Sequence, residues 1–302
     1  MQLIRNFRHI QKLILAEKDL IPFFGIKRQY QTLKEELLDI TDQVYTSGQV
    51  LDGNYTKYFE LAIADKCKRD YAVAVGSCTQ ALIFANSVVL NNNKILIPAI
   101  SFAATLNSAI LSGLEPIICD TDTTGLIDLE SIDFTIKGAG ISAVNYVNLW
   151  GHTVDWDRFK VLTDFFNDDL YIIEDAAQSF GASYKGIPSG KMGDISCLSF
   201  DPTKNLCASG NGGALVTNDA HLYMYATKYR DNFKPYFEEQ GTNTKLSELD
   251  CSHLLVRTKY ISAWQERRKL ISKYYIEQFK DLPLNCLSDV TIPHAHQKFV
   301  IY

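Results

Sequence analysis

Short apolar runs recur along this chain, each closed by a glycine, a proline or a small polar residue. The clearest are Tyr71–Val75, Lys94–Ile97, Pro116–Asp120, Val144–Leu149, Tyr171–Glu174 and Ile195–Phe200. Runs this short, apolar at successive positions rather than alternate ones, predict strands covered on both faces. Between them the period lengthens to that of helices, over Gln80–Leu90 and from Phe102 to Leu111. Upstream, Tyr30, Leu33, Leu37, Ile40 and Val44 share one helical face that Ser47-Gly48-Gln49 ends. A turn at Asp52-Gly53 leads to a second helix through Tyr58, Phe59, Leu61, Ala62 and Ala64.

Apolar strands alternating with helices predict an α/β layer around a mainly parallel sheet. Ligands of such sheets sit at the carboxyl ends of the strands. Cys78, Phe102, Asp175 and Lys204 all lie just past a strand end and are expected to converge on one crevice. Farther on, Leu254, Ile261, Trp264, Leu270 and Tyr274 predict one long helix over Leu246–Phe279, and Lys298–Tyr302 reads as an apolar strand. Three domains are expected: a helical extension over 1–20 with Leu3, Phe7, Ile10 and Ile14 on one face, a large domain over 21–250, and a long helix opening a smaller domain over 251–302.

Composition narrows the function. Apolar residues make up 46% and charged residues 22%, enough for the core of a soluble enzyme. A net charge of −5 argues against non-specific nucleic-acid binding, which needs a basic field. No apolar run is long enough to span a membrane. The seven cysteines form no C-x-x-C pair, and their odd number without a secretion signal predicts reduced thiols and a cytoplasmic location.

The chemistry concentrates in Ile172–Thr217. A strand there ends in Glu174-Asp175, and a second leads through Ser199 to Lys204 and the cluster Gly210-Asn211-Gly212-Gly213. A carboxylate and a lysine past neighbouring strands can hold a cationic heterocycle by its nitrogen and its aldehyde, as pyridoxal phosphate requires. Asp175 would keep the pyridine nitrogen protonated, and Lys204 would form the Schiff base. Ser199 can donate its hydroxyl to the phosphate, Gln178 can reach the ring hydroxyl, and Phe102 can stack on the ring. The strand–Gly76-Ser77-Cys78–helix passage is a ready anion site, because a helix start offers free N–H groups and a positive dipole end.

GSCTQAL (76–82), SFAAT (101–105), EDAAQSFGA (174–182), GDISCLSFDPTKNL (193–206), GNGGALVT (210–217) and GTNTKLSEL (241–249) resemble, in order, the motifs of the DegT/DnrJ/EryC1/StrS aminotransferases. The resemblance runs from about Ile21 to Tyr302. It implies a fold-type-I transferase using pyridoxal or pyridoxamine phosphate (PLP or PMP), with Lys204 as the Schiff-base lysine and Asp175 as the pyridinium partner. It further implies Gln178 at the ring, Phe102 stacked on it, and Ser199 with the Ser77-Cys78 backbone on the phosphate. Asn243 looks like the family asparagine that reaches the phosphate of a neighbouring subunit, so a homodimer with shared sites is expected.

The implied substrates are glutamate and a nucleotide-linked keto-sugar, in amino-sugar and polysaccharide biosynthesis. GTNTKLSEL resembles most the enzymes that aminate C4 of a 4-keto-6-deoxyhexose on dTDP or UDP. Lys204 separates the chain from related dehydratases that carry histidine there. Two departures stand out. Asn211 replaces the glutamate of the usual Gly-Glu-Gly-Gly, which is expected to alter local hydrogen bonding and leave the cofactor anchors intact. Family members also continue past Tyr302, so the smaller domain is expected to be incomplete. On that ground a non-catalytic cofactor-binding or regulatory partner is the alternative expectation.

Overall fold

The computed structural model describes residue 22 and residues 24–89, 93–132, 140–166, 170–287 and 294–302. The expected extension over 1–20 lies outside the described residues. The chain divides into two units, one up to Lys34 and one over Glu35–Tyr302. Of the first unit, the described residues are 22 and 24–34, which include the start of helix α1 (Ile26–Ser47), where Thr32 Oγ1 donates to Arg28 O.

In the second unit, α2 (Asn54–Lys66) precedes strand β1 (Tyr71–Val75), and α3 (Cys78–Ser87) follows it. Then come β2 (Lys94–Pro98), α4 (Ala103–Leu111), β3 (Glu115–Cys119), β4 (Ala143–Val147), α5 (Trp156–Phe166) and β5 (Tyr171–Asp175). A small hairpin of β6 (Ser183–Tyr184) and β7 (Ile187–Pro188) leads to β8 (Ile195–Ser199), β9 (Gly213–Thr217) and α6 (Ala220–Tyr229). Helices α7 (Glu248–Thr258) and α8 (Ile261–Phe279) complete the order.

Seven strands form one sheet in the order β1-β9-β8-β5-β4-β2-β3. The pairings β2–β3, β2–β4, β4–β5 and β5–β8 are parallel, and β9 runs antiparallel to both β1 and β8. The alternation of side chains splits each strand between two cores. Ala72, Ala74, Leu198, Phe200, Ala214 and Val216 face α2 and α7, with the Phe59 and Phe200 rings edge to face at 5.2 Å. Val73, Val75, Ile95, Ile97, Ile195 and Leu215 pack on the other side with Leu82, Phe84 and Ala109.

Two elements differ from the sequence pattern. The long helix expected over Leu246–Phe279 is two helices, α7 and α8, separated at Lys259-Tyr260. Ser247 caps α7 by accepting from Asp250 N–H, and the Lys259 and Tyr260 N–H groups turn back to Val256 and Arg257. The expected strand Lys298–Tyr302 is a short pairing instead, in which Leu287 donates to Val300 O and Asn285 and Tyr302 bond each other's backbone. Among the described residues no helix is long and apolar enough to cross a membrane.

Candidate active site

Strand β9 starts where β1 and β8 end. Gly213, its first residue, pairs with Val75 on one side and Ser199 on the other. A Cβ on Gly213 would lie 2.4 Å from Cys78 N and from Ser77 C, so only glycine lets β9 approach the Ser77-Cys78 turn this closely. The result is an anion cradle. Ser77 caps α3 by accepting from the Gln80 N–H at 3.2 Å. The N–H groups of Cys78 and Thr79 stand in the first turn of α3, where no intrahelical carbonyl precedes them, on the wall of a cavity of about 500 Å³. Burial pushes the Cys78 thiol well above its ordinary range, so this residue offers backbone rather than a thiolate. Ser199 Oγ accepts from the Asp201 N–H at 3.4 Å, which leaves its own O–H to donate.

The same cavity is lined by Phe102, Asp175, Gln178, Asp201, Thr203, Lys204, Asn211 and Gly212. Phe102 sits at the start of α4 with 69% of its surface exposed, beside Leu82, Ala104, Val147 and Ala177 as the apolar part of the wall. Asp175 closes β5 and is 3% exposed. Its Oδ2 accepts from Thr105 Oγ1 at 3.0 Å and its Oδ1 from the Ala177 N–H at 3.1 Å. Burial raises the Asp175 pKa above the usual carboxylate range; the two hydrogen bonds and the charge of Lys204 oppose that rise. A desolvated carboxylate of this kind is matched by a cation that shares its pocket.

Lys204 follows β8 in a tight turn. Its N–H donates to Asp201 O at 2.9 Å, and Asp201 Oδ1 accepts from the Thr203 N–H at 2.9 Å and from Thr203 Oγ1 at 2.6 Å. Gln178 Oε1 accepts from the Trp150 N–H at 2.8 Å, so its Nε2 is the atom left to donate into the cavity. Next to Asp175, the buried Glu174 ties the floor together by accepting from Asn148, Ser189, Ser196 and the Gly190 and Met192 N–H groups.

Lys204, Ser77, Cys78, Phe102, Asp175, Gln178 and Ser199 thus meet in one place, as the strand ends predict. Asn243 does not join them. It is exposed, paired as a bridge with Asp231, and outside the residues that line this cavity. Its neighbour Thr244 does touch the site's frame, since the Gly76 N–H donates to Thr244 O at 2.7 Å. Thr105 and Trp150 are the two supports that the spacing of motifs leaves out. Thr105 lies within SFAAT but carries no chemistry until the fold brings it to Asp175.

A mainly parallel sheet with a lysine and a buried carboxylate at its carboxyl edge, flanked by an anion cradle, defines a fold-type-I aminotransferase domain. The chain belongs to the DegT/DnrJ/EryC1/StrS aminotransferase family, whose model matches residues 31–302. It is similar to the dTDP-3-amino-3,6-dideoxy-alpha-D-galactopyranose transaminase of Aneurinibacillus thermoaerophilus, 31% identical and covering 92% of this chain and 77% of that protein. Among solved structures it resembles Streptomyces venezuelae DesV in complex with a ketimine intermediate, with a TM-score of 0.87, 29% identity, and 93% and 77% of the two chains covered. NtdA from Bacillus subtilis, solved with bound PMP, matches with a TM-score of 0.83, 26% identity, and 94% and 67% coverage.

Proposed function

We propose that the chain is a PLP-dependent aminotransferase that moves an amino group from glutamate to a nucleotide-linked keto-deoxysugar. The observation that carries this reading is Asp175, a buried carboxylate with one hydrogen bond to each oxygen, sharing one cavity with Lys204 and the start of α3. The residues fit the cofactor: the Cys78 and Thr79 N–H groups and Ser199 Oγ for its phosphate, Asp175 for its ring nitrogen, Gln178 Nε2 for its ring oxygen, and Phe102 against its face.

When bound, PLP supplies an aldehyde for the lysine amine and an electron-withdrawing ring. Asp175 keeps that ring cationic by placing negative charge beside the nitrogen. With the cofactor bound, Lys204 Nζ would serve both as its covalent partner and as the base and acid that moves one proton during transfer. Phe102 and the apolar wall would cover one face of the bound ring. Asn243 belongs to the site of a second copy, reaching the phosphate there, so the working unit is a cytoplasmic homodimer. The large domain ends near residue 250, and residues 251–302 open the smaller one.

The sugar is carried on dTDP or UDP. GTNTKLSEL favours amination at C4 of a 4-keto-6-deoxyhexose, whereas the name of the relative at 31% identity favours C3. The test is to supply glutamate with 3-keto and 4-keto sugars on dTDP, UDP and GDP and to follow 2-oxoglutarate release. Turnover of one ring position on one nucleotide is expected; no turnover of any of them by PLP-loaded protein sinks the substrate class.

A further inference from the structure

Both residues that flank Lys204, Thr203 through its carbonyl and Asn205 through its side chain, are held by one segment far along the chain. The buried Asn205 donates through Nδ2 to Ala295 O at 2.8 Å. Gln297 Nε2 donates to Thr203 O at 3.1 Å. That segment, residues 294–298, hangs on the turn Leu149–Gly151: the Ala295 N–H donates to Gly151 O at 2.7 Å and the Lys298 N–H to Trp150 O at 3.1 Å. The Trp150 N–H then donates to Gln178 Oε1 at 2.8 Å. A path of hydrogen bonds therefore runs from the lysine turn through residues 294–298 and Trp150 to Gln178 on the cavity wall.

The turn in the middle of this path is shaped for close packing on both sides. Trp150 and Gly151 have φ of 58° and 108°. A Cβ on Gly151 would lie 3.1 Å from Gln297 N and from His294 Cε1. On the other side, a Cβ on Gly125 would lie 2.8 Å from the Trp150 ring. The start of the segment is fixed by the His294 ring, edge to face against the buried His152 with centroids 4.1 Å apart.

A lysine side chain has many rotamers, and its amine is useful only where it meets one carbon. What the protein can fix is the backbone that launches it. The geometry points to residues 294–298, acting through Asn205 and Gln297, as the element that positions Lys204 relative to the Gln178 wall. Asn205 and Gln297 are positioning residues, since their side-chain amides bond Ala295 O and Thr203 O rather than line the cavity. The inference rests on the cavity being a PLP site and adds what aims its lysine.

The test uses the full chain as wild type, Gln297→Ala and Asn205→Ala, with two cofactor forms. PLP is read by borohydride trapping on Lys204 over time with mass spectrometry, together with the pH midpoint of its visible absorbance. PMP carries an amine in place of the aldehyde and cannot bond to lysine, so its affinity reports the rest of the cavity. For Gln297→Ala, trapping about tenfold slower with a shifted pH midpoint and PMP affinity within about twofold of wild type is expected, the effect of one lost hydrogen bond. Wild-type trapping and midpoint in Gln297→Ala overturn the inference, as does a parallel loss of PLP and PMP binding. If Asn205→Ala does not fold, Gln297→Ala decides alone. A wild-type protein that binds neither form overturns the cofactor reading itself, and this inference with it.

Discussion

Thr105 Oγ1 donates to Asp175 Oδ2 at 3.0 Å, across seventy residues of sequence, and both side chains are buried. Burial raises the Asp175 pKa, and this bond, with the one from the Ala177 N–H, opposes that rise. Thr105→Val keeps the shape and deletes the donor. A hydrogen bond to a charged group contributes about 1.5–3 kcal/mol, so kcat is expected to fall by about ten- to a hundredfold while Thr105→Ser stays near wild type. Steady-state kinetics of the three proteins check this; equal rates for Val and Ser would show that Asp175 needs no such support.

Gly213 and Gly210 lie in one cluster with opposite surroundings. A Cβ on Gly213 meets the Ser77-Cys78 backbone at 2.4 Å, whereas a Cβ on Gly210 meets nothing within 4 Å. Gly213→Ala must push β9 off the anion cradle, at about 1–3 kcal/mol of stability, the usual cost of overpacking. It is expected to weaken PLP and PMP binding together, and Gly210→Ala to change neither. Cofactor titration and thermal unfolding of both variants check the pair.

The buried His152 and the half-buried His294 predict a pH dependence of stability. Burial comes first in holding His152 down to about 4 and His294 down to about 3, and histidine neighbours add repulsion to each. An unfolded histidine titrates near 6.5, so below that pH the unfolded chain binds protons that the folded chain refuses. The stabilisation is complete above about pH 6.5 and is lost as pH falls through the window toward 4. Tm is expected to drop by on the order of 5 °C between pH 7.5 and 5, and His152→Phe to flatten part of that slope. Thermal scans across the range measure it; a slope unchanged in His152→Phe would place the titration elsewhere.

The site was legible where chemistry lies directly after a strand. Asp175, Phe102 and the Ser77-Cys78 turn each come just after a short apolar run and Ser199 stands near the end of one, and a parallel sheet gathers such ends on one edge. Lys204 was legible because its motif and the neighbouring glycines stand together. What the pattern hid are contacts between distant segments. Thr105 supports Asp175, Trp150 supports Gln178, and Asn205 reaches Ala295 ninety residues on, none of which has a local period. The break between α7 and α8 was hidden for another reason: the apolar face continues through Lys259-Tyr260, and only turn bonds to Val256 and Arg257 mark it. The antiparallel β9 escaped notice because it opens on a glycine cluster that reads as loop.

Lys204→Ala is expected to abolish transamination, and Asp175→Asn to cut it by about a hundredfold or more, with PMP still bound by Lys204→Ala. Binding of PMP by Lys204→Ala separates loss of the proton carrier from loss of the cavity. Absence of PMP binding in that variant would mean the lysine holds the cavity's shape rather than its chemistry.

The most direct measurement of the central claim is peptide mapping after the wild-type protein is mixed with PLP and reduced with borohydride. One phosphopyridoxyl label per chain is expected, on the peptide containing Lys204, with loss of that label when glutamate is added before reduction. A label on other lysines, or none at all, would contradict it.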